Sequence, residues 1–158
     1  MNIQIDSREK ARAIKKIVAE FDRQKVQHYV SKLYVGDYMN LDNPRVIVDR
    51  KQNLTEVCAN VCQDHGRFRN ELIKAMEAGI RLIILVEHGE DIRSIDDVVW
   101  WINPRQKVSQ KAMKGEHLAK IMHTLEKKYK CKFVFCTKEE TGAKIIEILG
   151  GNYDSGRN

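Results

Sequence analysis

Apolar positions along the chain alternate between the two-residue spacing of strands and the three-to-four-residue spacing of helices, and each change of period marks a new element. Asn2 to Asp6 reads as a short strand. Asp6-x-x-Glu9 has the form of a helix-capping box, and Ala11, Ile14, Ile17, Val18 and Phe21 then share one face of a helix to about Gln24. Val26 to Tyr34 is rich in β-formers, Val35-Gly36-Asp37 reads as a turn, and Tyr38 to Leu41 as the next strand. After a turn at Asp42-Asn43-Pro44, Val46 to Lys51 completes an expected three-strand meander.

Helices return with a second capping box, Asn53-x-x-Glu56, followed by Leu54, Val57, Val61, Phe68, Leu72 and Met76 at helical spacing up to a stop at Gly79. Ile80 to Glu87, centred on the unbroken apolar run Leu82 to Val86, reads as a buried strand. Ser94-x-x-Asp97 opens a helix through Val98, Val99, Trp100 and Trp101, which Asn103-Pro104 stops. A loop to about Lys114 leads to a helix marked by Leu118, Ile121, Met122 and Leu125, then a strand from Lys132 to Cys136 and a helix from Lys138 to Leu149. The pattern predicts an α/β fold: a single domain over residues 1–150 with a mixed central sheet flanked by helices, and a flexible polar tail over 151–158.

Composition narrows the class. A chain of 158 residues can bury one proper core, and 42% apolar with 32% charged residues excludes a disordered chain. The longest apolar run is five residues, against the roughly 20 that cross a bilayer, so no membrane partner is expected. The N-terminus has neither a basic nor an apolar signal region, which with four scattered cysteines points to a reducing, cytoplasmic setting. A zinc site built from Cys58, Cys62, Cys131 and Cys136, or from Cys58, Cys62 and His65, lacks the spacing of known zinc modules, and core packing is the favoured role.

The formal charge of +6 suggests a polyanionic partner, and its distribution is uneven. Residues 103–138 hold ten basic side chains against two acids, a surplus of +8 that leaves the remainder at −2.

Chemistry concentrates around the expected meander. Asp37 follows a turn, and Asp49-Arg50-Lys51 ends a strand, where Asp49 and Lys51 project to one face and Arg50 to the other. Two carboxylates can share Mg²⁺, and a lysine beside them can orient a water or offset charge on a reacting phosphate, as metal-dependent phosphodiester hydrolysis requires. By spacing alone the pattern is weak, since acids and lysines are frequent at solvated strand ends.

Several short motifs in order are more specific. Asp6-Ser7-Arg8-Glu9, Gly36-Asp37-Tyr38, Val48-Asp49-Arg50-Lys51, Gly66-Arg67-Phe68 and the strand Leu82 to Glu87 together resemble the nuclease domain of the XPF family of structure-specific endonucleases, a branch of the restriction-endonuclease-like PD-(D/E)xK fold. The resemblance covers roughly the first 90 residues. It implies a divalent-metal-dependent endodeoxyribonuclease using Mg²⁺ or Mn²⁺, with DNA as partner, homodimerisation through the nuclease domain, and a possible protein partner that adds DNA affinity. Carried over by position, Asp37 and Asp49 are metal ligands, Arg50 and Lys51 complete the catalytic triplet with Lys51 at the water-activating place, and Asp6 and Glu9 lie beside the metal. Arg8 matches the first motif's arginine, and Arg67 and Arg69 fall where the family has an arginine at a helix start. Two departures stand out. Asp49 replaces the usual glutamate, and the aspartate expected four residues after Lys51 falls on Thr55, with Glu56 next to it.

For the DNA itself, the acid-free stretch from Val98 to Gly115 holds Trp100, Trp101, Arg105, Lys107, Lys111 and Lys114. Its cations could neutralise backbone phosphates, and one tryptophan could stack on an unpaired base while the other faces the core. The length leaves no room for the family's tandem helix-hairpin-helix modules, which suggests a stand-alone protein of bacterial or mobile-element origin. Two rival readings remain: a DNA-binding subunit without catalysis, which Thr55 allows, and a basic α/β protein-interaction module.

Overall fold

A computed structural model of the chain describes residues 1–151. Thirteen elements follow one another: strands β1 (Asn2–Ile5), β2 (Gln27–Val30), β3 (Tyr38–Asn40), β4 (Asn43–Lys51), β5 (Arg81–Glu87) and β6 (Lys132–Cys136), helices α1 (Lys15–Arg23), α2 (Leu54–Cys62), α3 (His65–Glu77), α4 (Ile95–Val98), α5 (Gly115–Tyr129) and α6 (Thr141–Gly150), and a 3₁₀ turn at Pro104–Lys107. Of the expected tail over 151–158, residues 152–158 lie outside the described residues.

The strands form one mixed sheet in the order β2-β1-β3-β4-β5-β6. β1 runs antiparallel to β3 and β3 to β4, while β4, β5 and β6 are parallel to one another, as β1 is to β2. The parallel pairs need crossovers, supplied by α1, by α2 with α3, and by α4 with α5. β5 sits inside the sheet with helices over both faces, which is why it reads as a continuous apolar run.

Alternation along the strands sorts two cores. Ile47, Leu82, Ile84 and Val86 face α2, α3, α4 and α5, whereas Ile3, Ile5, Val46, Val48, Ile83 and Leu85 face α1 and α6. Asp49 and Lys51 continue the first face of β4, and Arg50 continues the second.

The structure corrects five expectations. The three-strand meander does not form: β3 and β4 make a hairpin, but β2 crosses to the far edge and pairs with β1. β2 ends at Val30 rather than Tyr34, because the Leu33 amide is held by the Asp6 carboxylate at 2.8 Å and not by a neighbouring strand. The first helix begins at Lys15, not after Asp6, and Ala11 is exposed. Asp6 is engaged with Leu33 and Arg8, and Glu9 with Arg50, so neither acid is free to cap a helix. The helix expected from Asn53 to Gly79 is broken between Cys62 and His65 into α2 and α3. Finally, α4 is a single turn that stops at Val98, leaving both tryptophans beyond it.

Other signals are used as read. Asn53 caps α2, its side chain accepting from the Glu56 amide at 2.9 Å, and Glu56 reaches back to the Gln52 amide at 2.7 Å. Cys58, Cys131 and Cys136 are buried in the cores and Cys62 is exposed. Burial pushes the Cys131 thiol up to about 12 and Cys58 to about 11. Among the described residues no helix is long and apolar enough to cross a membrane.

Candidate active site

Gly36 makes the site's first turn. It adopts φ +72°, and a Cβ there would overlap the Ile47 methyl and press on the Val48 carbonyl oxygen at 3.1 Å, so glycine alone fits. The backbone that follows is pinned from two sides. The Asp37 amide donates to Val48 O at 2.8 Å, and its carbonyl accepts from the Asp6 amide at 2.8 Å. The Asp37 carboxylate is then oriented by the Arg50 amide, which donates to Oδ2 at 2.8 Å. Asp37 thus faces Asp49 across the β3–β4 hairpin.

Asp49 is 5% exposed and Lys51 8% exposed. The Lys51 ammonium lies 3.2 Å from Asp49 Oδ2 as an ion pair without hydrogen-bond alignment, and that oxygen has no hydrogen-bond partner. Lys51 also packs over the Phe68 ring, 5.3 Å from its centroid, which holds the ammonium toward the carboxylates.

A further acid arrives from α3. Glu71 accepts from the Gly36 amide at 3.2 Å, and its charge acts on Asp49, Lys51 and Arg8. Sequence reasoning missed it, although a signal was present. With Phe68, Leu72 and Ala75 buried, Glu71 occupies a position on the inward stripe of α3 where an apolar residue belongs.

The electrostatics are those of crowded acids. Burial, then the charges of Asp49 and Glu9, push the Asp37 carboxyl well above the usual range. Burial and Asp49 likewise raise Glu71. For Lys51, burial works to depress the pKa, but Asp49, Glu56 and Glu71 outweigh it, so the side chain remains an ammonium at neutral pH.

The Asp37 and Asp49 carboxylates form an all-oxygen donor set, which suits a hard divalent cation. Among the described residues no group of three or more His, Cys, Asp or Glu side chains is placed to hold a metal ion, a set that would include a third acid beside Asp37 and Asp49. Mg²⁺ does not need one, because it keeps several waters and is commonly held by one or two carboxylates.

The other residues singled out from sequence fall into separate groups. Asp6 is fully buried and works as a brace, accepting from Leu33 N, Arg8 N and Arg8 Nε. Burial alone would raise its pKa, yet the Leu33 and Arg8 bonds hold it below the usual carboxylate range. Arg50 turns to the opposite face, where Glu9 grips it twice, at 2.9 and 3.1 Å, and Glu87 once at 3.0 Å. Its guanidinium is 6% exposed and spent in this network, so its link to the carboxylates is the main-chain bond to Asp37. Arg8 is 62% exposed at the mouth of the site.

Arg67 and Arg69 are both exposed but diverge. Arg67 stands one turn before Glu71 on the same helical face, while Arg69 lines a crevice against α5 with Thr124, Leu125 and Lys128. Trp101 packs on the core and meets the His88 ring edge-on at 6.3 Å, whereas Trp100 is 83% exposed. Arg105, Lys107, Lys111 and Lys114 are all exposed on the loop that follows. Thr55 lies in the first turn of α2 and brings no carboxylate.

A mixed sheet sandwiched by helices, with one acid at a hairpin and an acid-x-lysine on the next strand, defines the restriction-endonuclease-like class. Within that class, residues 5–149 match the ERCC4 domain, and the chain belongs to that family. Among solved structures it is similar to XPF from Aeropyrum pernix, with a TM-score of 0.66 at 18% identity. It is also similar to XPF from Aeropyrum pernix in complex with DNA, with a TM-score of 0.67 at 18% identity. Both matches cover 94% of this chain and 63% of the other, so the chain spans less than two thirds of those proteins' length. No curated protein sequence matches it.

Proposed function

We propose that the chain is a divalent-metal-dependent endodeoxyribonuclease that cuts branched, flapped or otherwise distorted DNA, with Asp37 and Asp49 holding Mg²⁺ or Mn²⁺. The observation that carries this reading is the Asp37–Asp49 pair: two carboxylates crowded together in a buried site, with the Lys51 ammonium 3.2 Å from Asp49. A bound divalent ion supplies charge to the scissile phosphate and a water of lowered pKa. Lys51, held as an ammonium, orients that water and offsets negative charge developing on the phosphoryl oxygens. Glu71, with its raised pKa, accepts the water's proton as the new oxygen–phosphorus bond forms; the ester bond breaks and its oxygen is protonated from solvent. Arg50, Glu9 and Asp6 act at one remove, by fixing the Asp37 backbone and carboxylate. Arg8 and Arg67 flank the carboxylates as phosphate ligands, and the loop cations with Trp100 extend the DNA surface.

Against the rival without catalysis stands Glu71, an acid beside the carboxylates where Thr55 brings none. The setting we infer is intracellular, in keeping with four free cysteines. A second copy of the chain is the expected partner, and the same loop exposes Ile102 (76%) and Val108 (86%), apolar surface that phosphate binding does not use.

The test is cleavage of labelled fork, flap, nicked and linear duplexes in Mg²⁺ or Mn²⁺ by wild type, Asp37→Ala, Lys51→Ala and Glu71→Gln. Wild type should cut at least one irregular substrate and the first two variants none. Glu71→Gln should lose about 10²- to 10⁴-fold in kcat while retaining calorimetric Mn²⁺ binding. A wild type that cuts nothing, or variants that cut as well as it does, would end the assignment.

A further inference from the structure

We propose that a basic cleft on the face of β4 opposite Asp49 and Lys51 binds the phosphodiester backbone of a DNA strand flanking the scissile bond. It deepens the nuclease reading and rests on it for the identity of the polyanion. The cleft, of about 600 Å³, is lined by Arg12, Lys15, Lys16, Lys138, Arg50 and Glu87, among others. Gln52, the residue after Lys51, also lines it, so the cleft begins where the catalytic strand ends. A strand whose scissile phosphate lies at Lys51 has only to pass over the end of β4 to enter it.

Apart from Arg50, the cations of this cleft are little compensated. Arg50 is neutralised by Glu9 and Glu87. Lys16 has one long contact, 3.9 Å to Glu139, with both side chains more than 70% exposed. The side chains of Arg12, Lys15 and Lys138 make no hydrogen bond or ion pair among the described residues, and all three residues are exposed. Lys15 and Lys16 also stand in the first turn of α1, the end of a helix that disfavours cations. Glu87 in the wall is already tied to Arg50, and the other charged side chains of the cleft are cations, so its field concentrates an anion.

The segment that carries these charges is tied to the reaction centre. Residues 8–16 hold Arg8, Lys10, Arg12, Lys15 and Lys16 against the single acid Glu9, a surplus hidden inside the −2 of the chain outside 103–138. Much of the segment is irregular backbone rather than helix, and Glu9 clamps it to Arg50 of β4. The clamp fixes the basic arm to the strand that bears Asp49 and Lys51.

The experiment compares wild type with the triple variant Arg12→Glu/Lys15→Glu/Lys138→Glu and a control of equal charge change on α5, Lys120→Glu/Lys127→Glu/Lys128→Glu. Affinity for labelled flap DNA is followed over a salt series without divalent ions, and KM and kcat in Mg²⁺. The cleft variant should bind at least about tenfold more weakly near physiological salt, and its slope of log affinity against log salt should fall by about 2 to 3, at 0.7–0.9 per phosphate lost. Its KM should rise with kcat at saturating DNA retained, and the control should change little. Trimming the DNA on one side of the cut, and not the other, should remove the difference between wild type and cleft variant. If the reversed charges prevent folding, the glutamine triple at the same positions serves with a smaller change expected. Equal salt slopes for wild type and cleft variant, or an equal loss in the control, would overturn the proposal. DNA that binds through the cleft but is cut by no variant, wild type included, would keep the cleft and remove the nuclease reading; cutting by wild type and cleft variant with one KM would do the reverse.

Discussion

Burial, Asp49 and Glu9 all press on Asp37 in the same direction, and the protein tolerates this because three main-chain bonds leave the residue nowhere else to go. The consequence for stability has a definite sign. Asp37 has a folded-state pKa above its unfolded value, so the proton it binds stabilises the fold below the ordinary carboxylate range, and that stability is lost as pH rises through the raised value. Asp6 has the opposite sign: its lowered pKa stabilises the fold above the ordinary carboxylate range and matters only when pH falls below it. In chelator, Tm should therefore climb as pH is lowered from about 8 to about 5, with Asp37 as a main contributor. Asp37→Asn, which still accepts from the Arg50 amide, should be more stable than wild type at pH 7.5 in chelator, flatter across that pH range, and less stabilised by added Mg²⁺. Calorimetric melts decide it, and a destabilised asparagine variant would mean that the acidic pair is not under the strain described. Gly36→Ala at the neighbouring position should cost roughly 2–4 kcal/mol, from its positive φ and the overlap with Ile47, as measured by denaturant unfolding. The motif Gly36-Asp37 was legible because both residues do local work. Glu71 was passed over because the helical pattern marks only an acid on the inward stripe of α3, and what that acid meets depends on where α3 lies against the hairpin.

Among the elements, β4 organises the site: its alternation sends Asp49 and Lys51 to one face and Arg50 to the other, a division that follows from the strand geometry alone. α2 begins three residues after Lys51, and its cap holds the end of that strand in place. Asn53→Ala should cost about 1 kcal/mol, or a fall of about 2–4 °C in Tm, through loss of the 2.9 Å bond to the Glu56 amide. A thermal melt showing no change would mean that the Glu56 bond to Gln52 caps the helix unaided. The capping signal at Asn53 was read correctly while the same pattern at Asp6 was misread, and the two differ in competition. Asn53 has no other partner for its side-chain oxygen, whereas Asp6 has Leu33 from 27 residues away and Glu9 has Arg50 from 41 residues away. The long-range partners win because Asp6 is fully buried and must be satisfied there.

At the scale of the molecule, the exposed Ile102 and Val108 belong to the expected contact between copies, and Ile102→Glu/Val108→Glu should shift sedimentation velocity from dimer toward monomer without lowering Tm below that of a separated subunit. An unchanged sedimentation profile would move the dimer contact elsewhere. Net charge read as +6 conveys little, because two basic regions, 8–16 and 103–138, are set against acids gathered at the site. The sequence by itself determined the alternation of strands and helices, the buried central strand, the face-sorting of Asp49, Arg50 and Lys51, and the turn at Gly36. All of these follow from the chemistry of neighbouring residues along one chain. Tertiary structure decided the rest: that β2 pairs with β1 at the sheet's far edge, that Asp6 and Glu9 brace the site instead of starting a helix, that Glu71 joins the carboxylates, and that Arg12, Lys15 and Lys138 share one cleft. The first three depend on a buried charge or amide finding its partner across tens of residues, and the energy of that pairing exceeds the local preference that the sequence pattern expresses. The cleft depends on the packing that brings the basic arm, the end of β4 and the segment before α6 together.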